Sequence, residues 1–100
     1  MTNKPYRHGD VLLVPVKKAK GKKLNHLTLA EGEVTGHSHR ITEGEAALFS
    51  FDEKLYLSIQ SDLATLSHEE HKALQLPHGD YEVIIQREYD DEKEWRNVLD

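Results

Sequence analysis

Apolar and polar positions alternate with a period of two over much of the chain, the spacing that points successive side chains to opposite faces of a strand. The alternation is clearest in Tyr81–Tyr89, where Tyr81, Val83, Ile85 and Tyr89 share one face and Glu82, Gln86 and Glu88 the other. Leu55–Ile59 repeats it, with Leu55, Leu57 and Ile59 opposed to Tyr56 and Ser58. Val11–Val16 is instead a continuous apolar, β-branched run, read as a buried strand that Pro15 pushes toward an edge or an end. His26–Ala30, Val34–Ile41 and Ala46–Phe51 predict further strands, with Leu63–Leu66 and Leu74–Leu76 as shorter ones.

Between these runs lie turn residues. Glu31-Gly32-Glu33, Glu43-Gly44-Glu45 and Asp52-Glu53-Lys54 read as turns, and Pro77-His78-Gly79-Asp80 is the strongest turn signal of all. Lys17–Lys23, with five lysines, predicts a solvated loop. No stretch has the helical period over an ordinary helix length. Many short strands at close spacing predict an all-β fold: a small single-domain β-barrel or sandwich of about seven to nine strands. The acidic tail, Asp90–Asp100, would add a last strand or a short helix.

Composition narrows the picture. With 100 residues the expectation is one domain, residues 1–100, able to bury a modest core. Lys and Arg number 13 against 18 Asp and Glu, a net charge of −5, which disfavours a general nucleic-acid binder. There is no cysteine, so disulfides, thiolate metal sites and cysteine nucleophiles are excluded. Met1–Lys4 is short and polar, and the longest apolar run is Val11–Val16, so neither a secretory leader nor a membrane span is expected. The expectation is a cytoplasmic protein that does not engage membranes.

The candidate chemistry lies in the histidines, of which there are seven. On a strand, His37 and His39 (i, i+2) face the same side and can chelate one ion. Glu43 follows four residues later and could return a carboxylate if the chain bends. In Ser67-His68-Glu69-Glu70-His71, His68 and His71 (i, i+3) share a face only if the segment turns. The zinc-protease helix needs i, i+4 spacing, so that family is rejected. Two histidine pairs, each beside carboxylates, point to one divalent metal site (Zn, Fe, Mn or Ni) built from His37, His39, His68, His71 and Glu43. Glu69 and Glu70 are the candidate catalytic bases or orienting groups. Arg7-His8-Gly9-Asp10 reads first as a turn and strand start, though it could bring His8 or Asp10 near the site.

His37-Ser38-His39 with Glu43, after Gly32 and ahead of Pro77-His78-Gly79, resembles the cupins, small jelly-roll β-barrels. That resemblance implies His37, His39 and Glu43 as metal ligands, with His68 or His71 as the last. It also implies a homodimer, since cupin-like barrels often pair. In cupins the last histidine follows the Pro-x-Gly turn, whereas here His68 and His71 precede it. Gly32–His39, Leu76-Pro77-x-Gly79-x-Tyr81 and Gln86-Arg87-Glu88-Tyr89 also resemble small bacterial and phage proteins, a likeness that carries no function.

Three functions compete at this point. The first is a metal-binding domain, and with an open coordination position a metal-dependent enzyme, acting on a small-molecule or protein ligand. The second is a non-catalytic binding module, such as a bacterial or phage accessory protein with a closed metal site. The third is a metal-free nuclease using two histidines as acid and base, with Arg40 and the lysine loop on phosphate.

Overall fold

The computed structural model describes residues 4–31 and 36–86. Among them eight strands form one antiparallel sheet: β1 (Tyr6–His8), β2 (Val11–Val16), β3 (Lys22–Lys23), β4 (Thr28–Glu31), β5 (Ser38–Glu43), β6 (Ala46–Phe51), β7 (Lys54–Ser67) and β8 (Leu74–Ile85). The all-β expectation holds, and the strand count falls inside the expected range. The sheet is not a closed barrel. Its main path runs β1-β2-β8-β7-β5-β4, and β6 pairs with β7 and with β3.

The architecture turns on the long hairpin β7–β8. One edge of β7 is covered by β8 along most of its length. The other edge is shared: β6 pairs with its first half, Lys54–Ile59, and β5 with its last residues, Thr65–Ser67. Between the halves the register jumps from Ile59↔Gly79 to Leu63↔Pro77, so Gln60, Ser61 and Asp62 face His78 alone. Extra residues on one strand of a pair bend it sharply. The strong turn signal Pro77–Asp80 therefore does not reverse the chain. It serves this bend, with Gly79 at φ +146°, inside one strand. By the same token Leu55–Ile59 and Leu63–Leu66 are one strand, and so are Leu74–Leu76 and the described part of Tyr81–Tyr89.

The β5–β6 turn holds the bend in place. Glu45 O accepts hydrogen bonds from Gln60 N (2.8 Å) and Ser61 N (3.3 Å), and Glu45 N donates to Ser61 Oγ (2.9 Å). Gly44, at φ +93°, packs so close that a Cβ there would lie 2.5 Å from Leu63 O.

Folding at the bend encloses one core from both halves of the sheet. Val11, Leu13, Leu57, Tyr81 and Val83 come from one half, and Leu29, Ile41, Ala64, Leu66 and Leu76 from the other. Sheets commonly turn such corners through bulges. The elements differ from expectation at their ends. The strand expected at His26–Ala30 is Thr28–Glu31; of that expected at Val34–Ile41, Val34 and Thr35 lie outside the described residues and the strand described is Ser38–Glu43. Pro15 pairs with Tyr81 where β2 has run past the end of β1, so its missing N–H costs no ladder bond on that side.

The lysine loop is pinned rather than free. The Asp80 carboxylate accepts from Ala19 N and from Ser58 Oγ, both at 2.8 Å, and Lys22 and Lys23 pair with β6. The acidic tail Asp90–Asp100 lies outside the described residues. No helix among the described residues is long and apolar enough to cross a membrane.

Candidate metal centre

An unbent β8 of 12 residues would span roughly 40 Å at about 3.3 Å per residue. Its far end, Ile85, pairs with Val11 next to the β1–β2 turn. Its near end, Leu74, follows the β7–β8 loop that carries His68 and His71. The bend brings these two ends together: His8 Nε2 lies 2.8 Å from Lys72 O. Three segments distant in sequence thus meet at one place, namely the β1–β2 turn, the start of β5 and the β7–β8 loop.

Five imidazoles gather there. His39 and His68 ring centroids are 4.4 Å apart, His68 and His71 4.5 Å, His39 and His71 5.6 Å, and His8 and His39 5.0 Å. His37 touches the group from its rim, 5.6 Å from His68. One nitrogen each of His39, His68 and His71 lies within 4.8 Å of the other two, so the three could hold a metal ion. His39 is buried at 2% exposure, His68 half-buried and His71 exposed, so the group has a buried back and an open front.

Each ring is positioned for a local reason. Residues 68–73 form an irregular bend rather than a strand, so His68 and His71 can point the same way, as the i, i+3 spacing requires. His68 Nδ1 accepts from Glu70 N (3.0 Å), which fixes its ring and leaves its proton on Nε2. To ligate through Nε2, His68 has to shift that proton to Nδ1 and release Glu70 N–H. His39 alternates inward with Ile41 on β5. Gly9 occupies the first central position of the two-residue β1–β2 loop with φ +63°, where a left-handed conformation favours glycine. A Cβ there would come within 2.6 Å of His71 Nε2 and 3.1 Å of His39 Cε1. The turn backbone is therefore one wall of the cluster.

The carboxylates divide by role. Glu69 is a strap: Ser38 N donates to its Oε1 (3.0 Å) and Arg40 pairs with its Oε2 (2.9 Å), tying the β7–β8 loop to β5. The Ser38 N–H, then Arg40, pull its pKa down to about 2, which makes it a weak base. Glu70 is exposed, 3.7 Å from His37 Nδ1. Asp10 Oδ1 lies 3.2 Å from His39 Nε2. Glu43 does not join the group. The β5 register shifts between Ile41 and Glu43, and its carboxylate accepts from Thr65 Oγ1 (3.3 Å) on the sheet surface. His26 and His78 are exposed and outside the cluster.

Burial sets the protonation of the inner rings. His39 is lowered to about 4, first by desolvation and then by the neighbouring His68 and His8, with Asp10 opposing. His8 is lowered as well, chiefly by desolvation, against the Lys72 carbonyl that favours its charged form. Both are neutral imidazoles at pH 7, the form that binds metals.

A family profile matches residues 7–86, a span that contains every histidine of the cluster. The chain belongs to the family described as a domain of unknown function, DUF8820. The shared ground with cupins is a small all-β domain; the profile that matches is that of DUF8820. No curated protein and no solved structure matches the chain. His8 and Asp10 are what the reading of the sequence placed second, as parts of a turn. The signal was the pair of metal-capable side chains flanking Gly9, but only the bend in β7–β8 gives it meaning.

Proposed function

We propose that this DUF8820 domain binds one divalent first-row metal ion through His39, His68 and His71. The observation that supports it is the approach of three imidazole nitrogens to within 4.8 Å, one of them on a buried, neutral ring. Two nitrogens bound to one ion at about 2.1 Å lie about 3.0–3.4 Å apart, so ring rotations of about an ångström close the site. Imidazole donors without thiolate suit Zn, Fe, Mn or Ni. A bound ion with an open position would activate water or polarise a substrate oxygen. The exposed His71 leaves such a position reachable from solvent. Glu70, exposed and 3.7 Å from His37, is the candidate for taking a proton there. Glu69 holds the loop that presents it.

Elemental analysis of untagged protein tests the reading. About one equivalent of metal per chain is expected in the wild type, lost in His68→Ala and in His71→Ala. Metal-free wild type should also gain about 2.7 kcal/mol of stability at a hundredfold excess of the right ion over Kd, read as a rise in thermal midpoint. No metal in the purified protein, and no shift with Zn, Fe(II), Mn or Ni, would leave the metal-free acid–base reading in its place.

The wall formed by Gly9 gives an independent check. Gly9→Ala is expected to cost about 1–2 kcal/mol through the left-handed φ and to displace the His71 ring. Metal affinity measured by chelator competition should fall at least about tenfold. Wild-type affinity in Gly9→Ala would show that the turn is not part of the site.

A further inference from the structure

The hydrogen bonds behind the cluster fix where its protons sit. Lys72 O is a carbonyl and only accepts, so His8 Nε2, 2.8 Å away, carries a hydrogen. A neutral His8 then offers a bare Nδ1. That atom lies 2.9 Å from His39 Nδ1, so His39 Nδ1 donates to it. His39 is left with a bare Nε2, and this atom faces Asp10 Oδ1 at 3.2 Å. A lone pair and a carboxylate oxygen at that distance repel unless a cation or a proton lies between them. A proton would either make His39 an imidazolium, buried at 2% exposure against three other imidazoles, or turn Asp10 into a neutral carboxylic acid. A metal ion resolves the contact at no such cost, since two donors on one ion are separated by about 3.0–3.4 Å.

We infer that Asp10 Oδ1 is a fourth donor to the ion held by His39, His68 and His71, and that His8 is the positioning residue that fixes His39 in the ligating tautomer. The inference rests on the three-histidine reading and extends it. The relay Lys72 O, His8, His39, ion is the arrangement by which outer hydrogen bonds orient metal-bound imidazoles and raise their basicity. It also assigns a purpose to the β1–β2 turn. Gly9 lets the backbone pass beside His71 and His39, and the next residue delivers the carboxylate. Three neutral imidazoles and one carboxylate would leave a divalent ion with a net charge of +1, and the hard oxygen donor disfavours soft ions such as Cu(I).

The experiment compares wild type, Asp10→Asn, His8→Gln, His8→Leu and His71→Ala in full-length protein. Zn(II) affinity is read by competition with a chromophoric chelator, ligand geometry by the visible spectrum of the Co(II) form, and metal-free stability by thermal melting. Asp10→Asn should weaken Zn(II) binding about 10- to 100-fold and alter the Co(II) bands. Its metal-free midpoint should hold or rise, because an asparagine N–H can donate to the bare His39 Nε2. His8→Gln keeps a donor for Lys72 O and an acceptor for His39 and should stay near wild type. His8→Leu should lose affinity; if it does not fold, Asp10→Asn still decides. Wild-type affinity and Co(II) spectrum in Asp10→Asn would overturn the inference, and so would a drop in its metal-free stability with affinity kept, the mark of a plain ion pair. In either case loss of metal in His71→Ala leaves the three-histidine reading standing. Absence of Zn(II) and Co(II) binding in wild type overturns both.

Discussion

His39→Ala should abolish metal binding and lower the stability of the metal-free protein by about 3 kcal/mol, whereas His71→Ala should abolish metal binding and change stability by less than about 0.5 kcal/mol. The difference follows from position. His39 is buried at 2% exposure and packs against His8, His68 and His71. Truncating it leaves a cavity and removes the donor to His8 Nδ1, a buried acceptor left unsatisfied. His71 is exposed at the open front, and its loss removes a donor to the proposed ion but little packing. For a domain of this size about 3 kcal/mol corresponds to roughly 12–24 °C in thermal midpoint. Melting the two variants in chelator, beside elemental analysis, checks both halves of the statement. Equal destabilisation by the two would mean that the cluster is a structural unit throughout, with no division between back and front.

The pairing of His68 with His71 was legible from their i, i+3 spacing once the segment turns, whereas His37, expected beside His39, contacts His68 from the rim and stands outside the group of three. What spacing does not reveal is how two distant pairs converge. That depends on the β7–β8 bend, and the residues that make it, Pro77–Asp80, carry the same signature as a chain reversal. The local chemistry of a bulge and of a turn draws on the same residue types, so the sequence pointed to a break at the right place and of the wrong kind. His8 and Asp10 remained a second reading for this reason, since their place beside the cluster depends on the loop at residues 68–73 folding back onto them. Glu43 failed differently. Its place four residues after His39 fits the cupin pattern, but the register shift after Ile41 turns it to Thr65. Glu69 and Glu70 are adjacent and chemically identical. Only their partners, Arg40 and Ser38 N for one and His37 for the other, separate the carboxylate that ties the loop to β5 from the one at the rim of the cluster.

Lowering the pH of the metal-free protein should destabilise it in two successive windows. His8 and His39 have folded pKa values below the ordinary 6.5, and that of His39 falls to about 4. For such groups the unfolded chain binds more protons than the folded one below pH 6.5. The stability they contribute is therefore complete above about 6.5 and is lost as the pH falls toward about 4. Glu69 then takes over. Its folded pKa of about 2 lies under the ordinary value of 4.5, so its contribution is intact above 4.5 and is lost between 4.5 and 2. Urea midpoints measured in chelator from pH 8 to pH 3 should be level at first, then decline from about 6.5. Glu69→Gln should remove only the lower part of the decline. With the ion bound the upper decline should move to lower pH, because metal and protons compete for the same imidazole nitrogens and the ion excludes the proton until it is displaced. A midpoint that stays flat from pH 7 to pH 4.5 without metal would mean that His39 and His8 are not held neutral by burial.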